Sequence, residues 1–254
     1  MTIADQLIWG IHAVLEQLHS QPRQVRDITV QQGKGSVKLQ EIIDLARQHN
    51  LRLRFEPRLK PPSELGPINH QGVIARVQSV PTVVLEDLLA GLADRQDPPV
   101  LLALDSIQDP HNLGAIIRSA VAAGVAGILL PKDRSAPLSG TVAKVAVGAL
   151  AHLPICMITN LATALQQLKE NGFWIYGTAG EAAHSIYQTD FAGKVCLVVG
   201  GEGKGMRPLV REQCDHLVAI PMHGPVESLN ASVATAVVLF EMVRQREAAR
   251  AAKP

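Results

Sequence analysis

Three short polar segments in this chain gather residue types that can hold and orient a small ligand. They are Asp105-Ser106-Ile107-Gln108-Asp109-Pro110-His111-Asn112, Gly200-Gly201-Glu202-Gly203-Lys204-Gly205, and Glu227-Ser228-Leu229-Asn230-Ala231-Ser232-Val233-Ala234. Each follows an apolar run of strand length, and the first and third open an apolar-periodic helix. Glu202 puts one carboxylate into a glycine loop whose backbone can approach a ligand closely, where it can orient a ligand amine or a partner arginine. Asn112 and Ser228 stand where helix N-caps belong, so each has a purely structural role open to it. Arg118 follows Gly114 and Ala115 by one helical turn. Helical side chains lean toward the N-terminus, so Arg118 lies over bare backbone toward the strand-end cleft, or else faces solvent. Gly177-Thr178-Ala179-Gly180 offers a further close backbone approach.

The glycine loop is neither of two common nucleotide motifs. A P-loop needs glycine where Val198 stands and Ser or Thr where Gly205 stands. A dinucleotide fold needs Gly-x-Gly-x-x-Gly, whereas this loop reads Gly-x-Gly-x-Gly.

The elements that carry these segments alternate. Strand-like runs occur at Val100–Leu104, Gly127–Leu130, Ile155–Ile158, Phe173–Tyr176, Val195–Val199 and Leu217–Ile220. Helical spacing fills the gaps at Leu113–Ala123, Leu138–Leu150, Leu161–Asn171 and Leu229–Ala249, with a turn near Met206–Gln213. This rhythm predicts an α/β fold with a mainly parallel sheet and helices on both faces. Ligands then bind beyond the carboxyl ends of the strands, where all three polar segments lie.

Residues 1–80 predict a smaller α/β unit. Its expected helices are Ile8–Leu18 and Lys38–His49, and its expected strands Ile28–Val30, Leu51–Phe55 and Gly72–Val77. Residues 81–98, rich in proline and acids, read as a linker with a short helix near Leu85–Leu92, and residues 99–254 form the large domain. In the small unit Leu51, Leu53 and Phe55 alternate with Arg52 and Arg54, and Arg58 follows. This basic strand is either a solvated face or a phosphate-contacting patch.

The bulk composition narrows the class. Of 254 residues, 47% are hydrophobic but only 3% aromatic, so the core rests on Val, Leu, Ile and Ala, as in a helix-covered parallel sheet. No apolar run approaches the ~20 residues that span a bilayer, and the N-terminus lacks a signal-peptide pattern. Three dispersed cysteines form neither a disulfide framework nor a zinc motif, which points to a reducing cytoplasm and no metal. A net charge of +1 alone announces no nucleic-acid partner.

Taken in order, Asp109 to Ala120, Val199 to Met206, and Ile220-Pro221-Met222 with Val226 to Ala234 resemble the three motifs of the SpoU branch of the SPOUT RNA methyltransferases. Trp9-Gly10-Ile11-His12-Ala13-Val14 and His70-Gln71-Gly72-Val73 resemble the substrate-binding domain of the same branch. The resemblance implies a trefoil-knotted C-terminal domain, S-adenosylmethionine as cofactor, a homodimer, and 2′-O-ribose methylation of a guanosine in 23S rRNA. It implies that Thr178, Gly180, Gly200, Ile220, Met222 and Leu229 bind the cofactor. Asn112, Arg118, Glu202, Ser228 and Asn230 form the implied catalytic cluster. A guanidinium, with a pKa above ~12, is a poor base. Arg118 is therefore expected to clamp the adjacent RNA phosphate, held by Glu202 and Asn112, while that phosphate or a water takes the proton. Alternatives are a tRNA methyltransferase, a non-catalytic ribosome-assembly factor and a nucleotide-dependent small-molecule enzyme.

Overall fold

The computed structural model describes residues 5–33, 35–60, 69–78, 81–226 and 228–251. The chain divides into two compact units, residues 1–81 with 139–144, and residues 82–138 with 145–254.

The first unit runs β1 (Asp5–Trp9), α1 (Ile11–Ser20), β2 (Val25–Gln31), α2 (Val37–Gln48), β3 (Arg52–Glu56) and β4 (Val73–Gln78). Its sheet has the order β1-β4-β2-β3, with β4 antiparallel to β1 and β2, and β2 parallel to β3. Strand alternation turns Ile28, Val30, Val73, Ala75 and Val77 inward against Val14 and Leu18 of α1 and Leu39, Ile42 and Ala46 of α2. The sequence reading ran the first helix from Ile8, but Ile8 belongs to β1. Ile8 and Ile11 fit a helical period, yet Gly10, at φ +87°, turns the chain between strand and helix. The side chain of Gln71 then accepts the Ile11 N–H at 3.0 Å, satisfying an open donor at the start of α1.

Next come β5 (Thr82–Val83), α3 (Leu85–Ala90), β6 (Val100–Asp105), α4 (Pro110–Ala122), β7 (Gly127–Pro131), α5 (Gly140–Ala146), β8 (Ile155–Ile158) and α6 (Leu161–Glu170). The chain ends with β9 (Trp174–Thr178), β10 (His184–Ser185), β11 (Val195–Gly200), α7 (Pro208–Arg211), β12 (His216–Ala219) and α8 (Ala231–Ala251). The expected helix at Leu138–Leu150 is thus shorter, and a 3-10 turn at Ala149–His152 follows it. The segment read as a linker carries β5 and α3. β5 pairs with β8 at the sheet edge, and Leu85, Leu88 and Leu92 enter the core. Their helical spacing outweighs the proline- and acid-rich composition around them.

The second sheet has the order β10-β12-β9-β11-β6-β7-β8-β5, and its strand pairings are all parallel. On one face Leu101, Ala103, Leu129, Cys156, Cys196 and Val198 pack with Leu161, Leu165 and Leu168 of α6 and the leucines of α3. α4 packs against α8, and α8 against β11. The chain leaves β6 toward β7 on one side and leaves β11 toward β12 on the other. The connections therefore part at the β6–β11 pair, and a crevice opens beyond its carboxyl ends.

Candidate active site

Two cavities occupy that crevice. The larger, of about 500 Å³, is lined by the ends of β9, β11 and β12 and by the start of α8. The smaller, of about 200 Å³, is lined by Ser106, Ile107, Gln108, Asp109 and Asn112 after β6, with Glu202 and Ala231. Glu202 and Ala231 line both cavities and so stand between them.

The glycine loop brings Glu202 there by close approach of backbones. A Cβ on Gly200 would lie 2.3 Å from the carbonyl carbon of Gly205, and one on Gly201 would lie 2.3 Å from the carbonyl oxygen of Ser106. The loop closes on itself, with the Gly205 N–H donating to the Gly201 carbonyl at 3.0 Å. Glu202 sits at its exposed tip.

Asn112 is 7% exposed in the first turn of α4. It does not cap that helix. The Asp109 side chain does, accepting the His111 N–H at 2.8 Å, with Pro110 in the first turn. The Asn112 amide is thereby released for the site, and its Nδ2 donates to Glu202 Oε1. Asn230, not Ser228, is the residue that satisfies the start of α8. Its Oδ1 accepts the Ser232 N–H at 2.9 Å and the Ser232 hydroxyl at 2.6 Å. Its Nδ2 donates to Asn112 Oδ1 at 2.9 Å and to Glu202 Oε1 at 3.2 Å. Three chain segments thus meet in one hydrogen-bonded triad, Asn112–Glu202–Asn230.

That triad leaves a defined valence. Both Asn230 amide hydrogens are used, whereas Asn112 keeps one N–H, and among the described residues Glu202 Oε2 has no partner. One open donor beside one open acceptor matches a hydroxyl group, which accepts and donates at once.

Thr178, Gly180, Gly200, Ile220, Met222 and Leu229 all line the larger cavity, as does Ser228. The Thr178 hydroxyl donates to the Val198 carbonyl at 3.3 Å. Val218, Ala219 and Glu181 share the lining without having been singled out. Val218 and Ala219 belong to the β12 run that names Ile220, so strand continuity was the available signal. Glu227 lies outside the described residues.

Arg118 is exposed on α4 and, among the described residues, makes no hydrogen bond or ion pair. The expected hold of Glu202 and Asn112 on Arg118 is not made among the described residues; their side-chain bonds run to each other and to Asn230. In the first unit Arg52 is exposed on β3, and Arg58 is exposed just beyond it. Arg54 Nη2 lies 3.7 Å from Asp27 Oδ2, and Arg76 Nε lies 3.8 Å from the same oxygen. Arg76 on β4 escaped the sequence reading because strand pairing, not local spacing, brings it beside Asp27. Among the described residues no group of His, Cys, Asp and Glu is arranged to hold a metal ion, and no helix is long and apolar enough to cross a membrane.

Comparison with known proteins places this geometry. Residues 99–240 match the SpoU rRNA methylase family, and residues 7–83 match the RNA 2′-O ribose methyltransferase substrate-binding family. The chain is 45% identical over 251 residues to the 23S rRNA (guanosine-2′-O-)-methyltransferase RlmB of Vibrio vulnificus, covering 98% of this chain and 100% of the relative. It is likewise 45% identical to RlmB of Escherichia coli K12, covering 95% and 99%. Among solved structures it resembles the SpoU methyltransferase AviRb of Streptomyces viridochromogenes in complex with AdoMet, with a TM-score of 0.62, 25% identity, and coverage of 96% and 91%. The A. aeolicus TrmH/SpoU tRNA modifying enzyme aligns with a TM-score of 0.56 and 30% identity, over 65% of this chain and 84% of that one.

Proposed function

Because this chain belongs to the SpoU rRNA methylase family, we propose that it methylates the 2′-oxygen of a guanosine in 23S rRNA, with S-adenosylmethionine as cofactor. The observation that carries the proposal is the shared wall: Glu202 and Ala231 separate a large cavity from a small polar one. A volume of about 500 Å³ suits a small-molecule cofactor, and the close-packed Gly200 and the exposed Leu229 and Met222 give it backbone and apolar contacts. Bound there, S-adenosylmethionine supplies an electrophilic methyl group.

The chain's own residues prepare the acceptor. The 2′-hydroxyl donates to Glu202 Oε2, which receives its proton as the oxygen is methylated, and accepts from the free Asn112 N–H, which fixes the direction of its remaining lone pair. Asn230 holds those two side chains in register. Arg118 takes the phosphate next to the target ribose, bringing a fixed positive charge to the nucleotide. Positioning of this kind can supply roughly 7–11 kcal/mol when the reacting atoms are well aligned. Arg52, Arg54 and Arg58 of the first unit contact rRNA phosphates. The same reading makes the enzyme a cytoplasmic homodimer with a trefoil knot around the cofactor.

23S rRNA is favoured over tRNA because the RlmB relatives match nearly the whole chain, whereas the tRNA-modifying neighbour covers 65% of it. Labelled S-adenosylmethionine, incubated separately with unmethylated 23S rRNA and tRNA, should label a guanosine ribose in the former. Label confined to tRNA would select the rival substrate, and cofactor binding without transfer to any RNA would defeat the enzyme assignment.

A further inference from the structure

Asp105 is fully buried, yet the chemistry described so far does not use it. It ends β6 and stands opposite Gly200 in the β6–β11 ladder. Its Oδ2 accepts the backbone N–H of Arg207 at 2.7 Å, and its Oδ1 accepts Arg207 Nε at 2.6 Å. The Ser106 hydroxyl adds a weaker bond to Oδ1 at 3.4 Å. Residues 200 and 207, the two ends of the glycine loop, are therefore both fixed against one residue. Between them lies Glu202, whose Oε1 organises Asn112 and Asn230.

Stability is a poor explanation for this pair. Desolvating a carboxylate and a guanidinium offsets most of their attraction, and well-packed apolar residues often serve a core as well. A carboxylate that binds both the backbone and the side chain of one residue instead fixes a geometry. The loop it closes needs that help. Gly203 and Gly205 hold positive φ values of +76° and +63°, and glycines give a loop the widest freedom to sample other shapes.

We infer that Asp105 is a positioning residue for methyl transfer: by gripping Arg207 it closes the glycine loop and holds Glu202 between the two cavities. The inference rests on the function proposed above, but the grip can be read without it.

The full-length protein carrying Asp105→Asn keeps one acceptor oxygen but turns an amide NH2 toward the other Arg207 donor, which breaks the two-point grip. Hydrogen exchange across residues 200–207, without RNA, should then accelerate on the order of tenfold while α6 and β8 stay protected. On rRNA, kcat should fall about a hundredfold with the KM for RNA unchanged. With Asp105 intact, Arg207→Lys, which keeps the charge and the backbone donor, should cost less than Asp105→Asn. In a Glu202→Gln background Asp105→Asn should cost little further, because both changes act through one side chain. If Asp105→Asn does not fold, Arg207→Ala removes only the Nε bond and reads the same loop. Unchanged exchange at 200–207 would overturn the clamp, and full additivity with Glu202→Gln would overturn its action through Glu202. A wild-type protein that methylates no RNA defeats the functional assignment, and the clamp then stands or falls on the exchange data.

Discussion

At the scale of single residues, the site separates groups that build from groups that act. Asn230 does both, since its oxygen satisfies the start of α8 while its amide hydrogens bind Asn112 and Glu202. The two roles can be parted. Asn230→Ala should lower stability by about 1 kcal/mol through loss of the cap and also abolish methyl transfer. Asn230→Asp keeps an excellent capping oxygen but loses both donors and sets a second carboxylate beside Glu202. Its urea midpoint should therefore lie above that of the alanine variant, with transfer still lost; retained transfer would show that the amide donors are not needed. Arg118 is the opposite case, a residue with no structural partner among those described. Arg118→Ala should leave the unfolding midpoint and S-adenosylmethionine affinity, measured by calorimetry, nearly unchanged, while transfer falls by at least about a hundredfold. Loss of cofactor binding would assign Arg118 to the cofactor instead of the RNA.

At the scale of elements, the glycines of the larger cavity are unequal. Gly200 has backbone 2.3 Å from where a Cβ would stand, whereas Gly180 has nothing within 4 Å. Gly200→Ala should therefore displace the loop and weaken cofactor binding by more than tenfold, and Gly180→Ala should leave the fold intact, as circular dichroism and calorimetry can show. The carboxyl-end placement of all three polar segments was legible in the sequence, because short apolar runs ending in polar residues mark buried parallel strands. The caps were not. Asp109 and Asn112 both have capping side chains, as do Ser228 and Asn230, and apolar periodicity does not fix where within a turn a helix starts. For Asn112 the cap and the site were both open on spacing alone, and it is the Asp109 cap that leaves its amide free for the site. The contacts of Asp105 were illegible for another reason: its partner is 102 residues away, and only strand order brings them together. The helix near Leu85–Leu92 was legible and is α3, but acids and prolines around its few leucines disguised β5 and the entry of those leucines into the core.

At the scale of the whole molecule, the fold buries Cys156 and Cys196 and partly buries Cys214. Burial, with the nearby charge of Glu86, pushes the Cys156 thiol up to about 11. Burial, with Asp215, pushes Cys214 up to about 12, and the fully buried Cys196 is raised as well. Native protein at pH 8 should react slowly with a thiol reagent, and all three thiols should react on adding denaturant. The pH dependence follows the same shifts. Below pH 9.0 folded and unfolded chains both keep these protons; above it the unfolded chain releases them first, so stability falls as pH rises from about 9 toward 12. Cys214→Ala should make the decline of the urea midpoint between pH 8 and pH 11 shallower, and an unchanged slope would assign the decline to other groups. The assembly of the site also sets a time at which it can first work. One of its three strands of contact comes from Asn230, whose geometry exists only once α8, residues 231–251, has been made and has docked on α4 and β11. Domains fold from the N-terminus as they are synthesised. A nascent chain can thus form most of the second sheet and still lack a working site until α8 has emerged and docked, so synthesis of that one helix is what completes the site.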